Sequence, residues 1–367
     1  MTGCHVMAKP ASSRCNLNCR YCFYLDKPRQ TQMDDATLET FIHQQIAAQP
    51  GDDVQFAWQG GEPTLCGIDF FRRVMTLQQR YGQGKRIQNA FQTNGVLIND
   101  EWCRFFQENG WLVGISIDGP AELHDAYRVT RRGHPTHHKV IAAIERLLAH
   151  QVSFNLLTVV NAQNSQQPAQ MYRYLRTLGT PFLQFIPLVE HDNPASVSGN
   201  QWGTFLKGVF DIWVREDVGR IFVQLFDSTL GVWSGYPAQM CSLAEHCGHA
   251  FALEANGDLY QCDHYVYPDY RLGNIHQTPL SALNRSAAAR QFGEDKQVSL
   301  TDECRQCPVR RLCNGDCPRH RLNGKSVLCA GYFDFFCHSA PHMRVMRDLI
   351  GHHRSPMELM AMLNASA

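Results

Sequence analysis

The sequence predicts an α/β protein in which about six β/α units curve into a partial (β/α)6 barrel, with a cysteine-rich domain after it. Three observations carry this. Short apolar strands alternate with amphipathic helices through the first half of the chain. The segments that follow those strands hold unusual glycines, carboxylates and cysteines. Beyond residue 240 regular periodicity fades and cysteines punctuate the chain, which holds 15 of them in 367 residues.

Residues 5–11 read as a strand running into a loop. Residues 34–48 read as a helix, with Asp34 as N-cap and Leu38, Phe41, Ile42 and Ile46 on one face. Residues 54–58 form a strand, 59–64 a loop and 68–81 a helix. A strand at 87–92 ends in the turn 93–95. Then come a capped helix at 99–109, a strand at 111–117, a helix at 136–150, a strand at 153–160, a helix at 165–178 and a strand at 182–186. After Pro187 the pattern changes to a helix at 202–215, a strand at 221–226 and a short element at 228–233. From Cys241 onward only a final helix, 341–352, is periodic. Such a stretch is expected to be held by metal more than by a core. The expected division is a barrel over 1–195, a connecting segment over 196–240 and a cluster-binding domain over 241–367.

Strict β/α alternation implies a parallel sheet with right-handed crossovers. Ligand sites in such folds lie at the C-terminal ends of the strands. The cysteine loop and the loops at 59–64, 93–95 and 116–120 are therefore expected to converge on one rim.

Apolar residues make up 44% of the chain, enough for a sizeable core. Basic and acidic residues balance at 34 each, and no basic run stands out, so nucleic acid is not an expected partner. The opening MTGCHVMAKPASS lacks the basic-then-apolar layout of a signal peptide, and no apolar run reaches membrane-spanning length. A cytoplasmic monomer, away from membranes, is expected. Thiols stay reduced inside cells, so clustered cysteines there point to metal rather than disulfides.

Cys15, Cys19 and Cys22 fall in KPASSRCNLNCRYCFY, residues 9–24, in a C-x3-C-x2-C pattern. On a helix they would make one apolar stripe. Asn16, Asn18 and Arg20 around them, and Pro10, Ser12 and Ser13 before them, read instead as loop. Three thiolates and a water also suit a catalytic zinc. The favoured reading is a [4Fe–4S] cube held through three irons, with the fourth open to a small molecule.

With Phe23 and Tyr24 following it, this motif resembles the signature of the radical S-adenosylmethionine (radical SAM) enzymes. The resemblance implies a TIM-like radical SAM barrel in which the amino and carboxylate groups of SAM chelate the open iron. One electron then splits SAM, and the 5′-deoxyadenosyl radical removes a hydrogen atom from the substrate. Gly60-Gly61-Glu62-Pro63 alone is a tight turn; after such a cysteine loop it is similar to the GGE motif that binds the SAM amino group. Glycines let a backbone approach a ligand closely, and Glu62 would accept hydrogen bonds from the SAM ammonium. Tyr24 resembles a family residue that contacts SAM. Ser116 and Asp118 are candidate contacts to the SAM ribose or the substrate, with a capped turn as the alternative. Gln59, Asn94 and Arg128 are further candidates.

Cys304, Cys307, Cys313 and Cys317 lie within fourteen residues, a metal signature that core packing does not explain. Cys241, Cys247 and Cys262 precede them; Cys329 and Cys337 follow. With one of the last two set aside, eight remain, enough for two fully ligated four-iron clusters. This arrangement resembles the SPASM domain, and most closely the anaerobic sulfatase-maturating enzymes. Motifs along nearly the whole chain carry the likeness: KPASSxCNLxCxYCFY, FxxQGGEPTL, QTNG, LVGxSxDGP, LQFI, Cys262-Asp263, RLGNI and the C-x2-C-x5-C-x3-C run. It implies one auxiliary cluster on Cys241, Cys247, Cys262 and Cys317. The other takes Cys304, Cys307, Cys313 and Cys329, chosen over Cys337 because CAGYFDFF matches the family context. Cys4, Cys66, Cys103 and Cys337 are expected to be structural.

Asp263 matches the family's general base, with His264 where an aromatic is common; an Asp in a loop is otherwise a turn or cap residue. Beside a buried anionic cluster its pKa is expected to be raised. The implied reaction is anaerobic oxidation of a Cys or Ser of an unfolded sulfatase polypeptide to Cα-formylglycine, using SAM, three [4Fe–4S] clusters and a one-electron donor such as flavodoxin or ferredoxin. The alternatives are a maturase forming thioether or carbon–carbon crosslinks on another peptide, and a non-catalytic iron–sulfur electron carrier or scaffold.

Overall fold

The computed structural model describes residues 3–24, 27, 31–190 and 192–365. The order begins β1 (His5–Lys9), α1 (Asp35–Ala48), β2 (Asp53–Trp58), α2 (Ile68–Tyr81), β3 (Arg86–Thr93), α3 (Asp100–Glu108), β4 (Leu112–Ser116), α4 (Ala121–His124), α5 (His137–Ala149) and β5 (Phe154–Val160). It continues α6 (Pro168–Leu175), β6 (Phe182–Pro187), α7 (Gly199–Glu216), β7 (Phe222–Val223), α8 (Gln224–Trp233), β8 (Ala250–Glu254), β9 (Asp258–Tyr260) and β10 (Arg271–Asn274). The last helices are α9 (Leu280–Asn284), α10 (Ala287–Val298), α11 (Asp302–Gln306), α12 (Arg310–Cys313), α13 (Cys329–Gly351) and α14 (Glu358–Ala365). The chain forms two compact units. One comprises residues 1–116, 125–154 and 248–294; the other comprises 117–124, 155–247 and 295–367.

In the first unit β1 lies between β2 and β8, parallel to both, and β3 and β4 continue the parallel ladder beyond β2. β9 and β10 extend the other edge antiparallel. Val54, Phe56 and Trp58 alternate into the core from β2, as Phe91 does from β3. They meet Phe71, Trp102, Phe106 and Trp111 in a cluster of edge-to-face and stacked rings. The caps expected at Asp34 and Asn99 are present, each accepting from the amide three residues on.

Four expectations need correction. β7 is only two residues long, because Leu225, Phe226, Ser228 and Thr229 bury at helical spacing and α8 starts at Gln224. α6 starts at Pro168, which occupies its first turn, after a 3₁₀ turn at Asn164–Gln166. The stretch after 241 is not without regular structure: β8 is buried on both faces, so it shows no alternation. The last long helix starts at Cys329, not 341, and runs through Pro341. That proline leaves the carbonyl of Cys337 without its helical donor, and Cys337 is exposed.

In the second unit β5, β6 and β7 are parallel, and α7 packs closely along α13. The close approach depends on glycines. A Cβ on Gly331 would sit 2.1 Å from the Gly199 carbonyl oxygen and 2.7 Å from the Gly203 nitrogen. Trp202, Phe210, Tyr332 and Phe335 pack around this crossing. Among the described residues no helix is long and apolar enough to cross a membrane. The crossing yields a test. Gly331→Ala should lower stability by about 3 kcal/mol through steric overlap. Gly351→Ala, at the open end of the same helix, should not. Thermal unfolding of both variants reads the difference.

Candidate functional site

In the first unit β1, β2, β3, β4 and β8 are parallel, so their C-terminal ends share one edge. Lys9, Trp58, Thr93, Ser116 and Glu254 end those strands, and the cysteine loop, 59–62 and 94–95 leave from there. Asp118 lies in the second unit.

The cysteine loop and the Gly-Gly-Glu loop are joined by backbone. The Gly61 amide donates to the Ser12 carbonyl (2.7 Å) and the Glu62 amide to the Arg14 carbonyl (2.8 Å). A Cβ on Gly61 would lie 2.0 Å from the Arg14 carbonyl oxygen. Gly60 has φ +127°, a region that favours glycine. The two glycines thus seat the cysteine loop, a reason different from the ligand approach expected for them.

Glu62 is fully buried. Its Oε1 accepts from the Thr64 amide, the Thr64 hydroxyl and the Thr93 hydroxyl, at 2.6–3.0 Å, and its Oε2 accepts from the Asn94 amide at 2.8 Å. Burial raises its pKa, against the pull of those hydrogen bonds. Oε1 is crowded, so remaining acceptor capacity lies on Oε2. Asn94 also directs Nδ2 to the Cys15 sulfur (3.7 Å) and to the Asn16 side chain (2.8 Å). One carboxylate therefore ties the loops after β2 and β3 to the cysteine loop.

Lys9 and Glu254 are register partners at the ends of β1 and β8, and both are buried. The Lys9 ammonium pairs with the Asp263 carboxylate and lies 4.5 Å from the centre of the Tyr24 ring. The Tyr24 hydroxyl donates to Glu254, which also accepts from the Ser12 hydroxyl at 2.9 Å. Lys27 donates to the Val266 carbonyl at 2.8 Å. Asp263 corrects an expectation. Burial pushes its carboxyl up, but the Lys9 ammonium, with His264 and Lys27, more than offsets this, and the pKa falls below the usual range. Sequence reasoning assigned no role to Lys9 or Glu254. The available signal was a charged residue closing an otherwise apolar strand, in HVMAK and again in AFALE.

The other candidates are placed as follows. The Gln59 amide donates to the Ala8 carbonyl, and the Ser116 hydroxyl accepts from Gln92 (2.9 Å). Arg128 donates to the Tyr21 hydroxyl (2.8 Å). Asp118 is fully buried, and its Oδ1 accepts from the amide of Val159 in β5 (3.0 Å), a contact far along the chain and not a turn cap.

Cys19 and Cys22 act electrostatically on Cys15. Burial, reinforced by Glu62 and the other two thiols, pushes Cys15 up to about 12. In the second unit Cys317 is likewise raised to about 12, by burial first, with Asp316, Cys247 and Cys241 adding to it. Cys313 is raised to about 12 with Cys329 acting on it, and Cys329 in turn feels Cys304 and Cys307. Cys262 lies in the first unit, beside Asp263. Cys337 sits two helical turns beyond Cys329, roughly 12 Å along α13 at 1.5 Å per residue. Thiols that burial keeps protonated, as at Cys15, Cys313 and Cys317, become ligands by giving up the proton to a metal. Soft all-sulfur donor sets of three or four fit iron–sulfur clusters, and the set of three leaves one iron open.

Residues 10–175 match the Radical SAM superfamily, and residues 241–308 match an iron–sulfur cluster-binding domain, SPASM. The chain is 41% identical to the serine-type anaerobic sulfatase-maturating enzyme of Bacteroides thetaiotaomicron, over 98% of this chain and 95% of that one. It is 34% identical to the cysteine-type enzyme of Clostridium perfringens, over 92% and 96%. The structure of native anSMEcpe with bound AdoMet and Cp18Cys peptide is similar at a TM-score of 0.88, with 33% identity, covering 94% of this chain and 99% of that one.

The joined loops make a prediction. Gly61→Ala should displace the Arg14 carbonyl and with it the cysteine loop. Purified anaerobically, the variant should lose about a third of the iron of a protein with three equal clusters. Iron analysis showing a full complement would contradict the role given to Gly61.

Proposed function

The chain belongs to the anaerobic sulfatase-maturating enzyme family of radical SAM proteins, and on that premise we propose that it oxidises a Ser or Cys of an unfolded sulfatase polypeptide to formylglycine. The observation that carries this reading is the Lys9–Asp263 ion pair. It holds the candidate base from the cysteine-rich half of the sequence at the end of β1, the strand that leads into the first cysteine loop.

Cys15, Cys19 and Cys22 hold the SAM-cleaving cluster. Tyr24, Gln59, Gly60, Gly61, Glu62, Ser116, Asp118 and Arg128 are the residues assigned to SAM and the substrate around it. Glu62 takes the SAM ammonium through Oε2, the oxygen with acceptor capacity left. One auxiliary cluster rests on Cys304, Cys307, Cys313 and Cys329; the electrostatic influence of Cys329 on Cys313, and of Cys304 and Cys307 on Cys329, supports it over Cys337. The other rests on Cys241, Cys247 and Cys317, with Cys262 as the fourth ligand that the family resemblance implies.

Oxidation of the target removes two protons and two electrons in all: one hydrogen atom, one further electron and one proton. When bound, the cofactors would supply its one-electron chemistry, the removal of the Cβ hydrogen atom and of the second electron. The residues of the chain handle the proton. Asp263 accepts it from the hydroxyl or thiol, the role the family resemblance implies; Lys9 holds the carboxylate in place and keeps it ionised. Serine then yields the aldehyde directly, and cysteine yields it after hydrolysis of a thioaldehyde. Identity of 41% to the serine-type relative against 34% to the cysteine-type one supports serine as the preferred target. We place the reaction in the cytoplasm, on a chain not yet folded, in a monomeric enzyme with flavodoxin or ferredoxin as electron donor.

Mass spectrometry of peptides with Ser or Cys before x-Pro-x-Arg tests this. Serine should lose two mass units; no change in either peptide would reject the reading. In Asp263→Asn, SAM cleavage should persist while aldehyde formation falls by about 10²-fold or more. Equal loss of both would remove the base assignment.

A further inference from the structure

Lys296, in the last turn of α10, is fully buried. Its Nζ donates to the carbonyls of Cys241 (2.9 Å), Ser242 (2.8 Å) and Ala244. Three carbonyl acceptors require three N–H donors, which an ammonium has and a neutral amine lacks. Among the described residues no carboxylate lies within ion-pair distance of this nitrogen. The carboxylate that acts on it, Asp316, is engaged by His320 and Ser326, both at 2.8 Å. Burial lowers the pKa of Lys296, and Cys247, Asp316, Cys317 and Cys241 act against that.

A buried cation met only by carbonyl dipoles is costly. The cost is offset when the cation faces an anion; besides Asp316, which lies beyond ion-pair distance, the groups acting on Lys296 are cysteines that become anionic only on binding metal. The surrounding loop is built for this position. The Asn314 side chain donates to the Leu243 carbonyl (2.8 Å), so the carbonyls of residues 241–244 all turn toward donors. Arg321, a second cation acting on Cys247, donates to the carbonyls of Lys296, Asn314, Gly315 and Asp316.

We propose that Lys296 is the internal counter-charge of the auxiliary cluster bound through Cys241, Cys247 and Cys317, a positioning residue that holds the Cys241 loop and raises that cluster's reduction potential. This rests on the auxiliary-cluster reading above. Net charge near a cluster is one of the levers that set its potential. A positive charge favours the reduced, more negative state, so it makes the cluster a better acceptor for the electron leaving the substrate.

The test uses full-length protein with Cys15, Cys19 and Cys22 replaced by alanine, reconstituted anaerobically, so that only auxiliary signals remain. Iron content of the parent is measured first. Absence of auxiliary iron there would refute the cluster reading, and this proposal with it. Redox titration followed by electron paramagnetic resonance is then run on Lys296→Gln, Lys296→Met and Lys296→Arg. In Lys296→Gln and Lys296→Met one of the two auxiliary signals should move to lower potential, its reduced-to-oxidised ratio at fixed potential falling on the order of tenfold. The other signal should stay, and Lys296→Arg should remain near the parent. Loss of one cluster's iron in Lys296→Gln and Lys296→Met, with Lys296→Arg retaining it, also supports the proposal. Unchanged potentials with full iron in Lys296→Gln and Lys296→Met, or equal loss in all three variants, would overturn it.

Discussion

The contact on which the site depends is the one between Gly61 and the Arg14 carbonyl. Two backbones meet where no side chain fits, 2.0 Å from where a Cβ would stand. Two amide hydrogen bonds, from Gly61 and Glu62, then fasten the cysteine loop to the loop after β2. Glu62 extends the same join to the turn after β3, because its carboxylate is divided between Thr64, Thr93 and Asn94. The cysteines are therefore positioned by neighbouring strands, not by their own short loop. Held loops of this kind keep reactive groups in place without relying on local stiffness.

A second constraint is electrostatic. β1 and β8 end opposite each other on Lys9 and Glu254, charges of opposite sign on adjacent strands. Each then reaches a different residue of the site: Lys9 reaches Asp263, and Glu254 reaches Tyr24 and Ser12. Buried charges persist when they are paired and hydrogen-bonded. The network satisfies that condition while presenting a carboxylate and a phenol beside the cysteine loop. The low pKa of Asp263 follows from the same pairing: the nearby ammonium outweighs burial.

The cysteines show the converse. Burial, with nearby carboxylates and thiols adding to it, raises thiols such as Cys15, Cys313 and Cys317 to about 12, so the polypeptide alone disfavours their thiolates. Metal binding reverses that preference, which couples cluster assembly to the completeness of the fold. Lys296 fits the same logic from the cationic side, since its three carbonyl contacts leave a charge that a cluster would balance.

The β/α alternation, the caps at Asp34 and Asn99 and the close-set cysteines are legible in the sequence. Those features are local: apolar periodicity, an Asp or Asn before a helix, and cysteines at close spacing each act within a few residues. The tertiary structure alone decided what those residues touch. It paired β8 with β1, a contact across roughly 240 positions that buried apolar strands do not announce. It turned the glycines of the GGE motif toward Arg14, and it began α13 at Cys329 because the helix runs through Pro341. It also brought Lys9 to Asp263 and Lys296 to the Cys241 loop. The physical reason is that buried charge and backbone contact are settled by partners far off in the chain, and periodicity carries no information about distant partners.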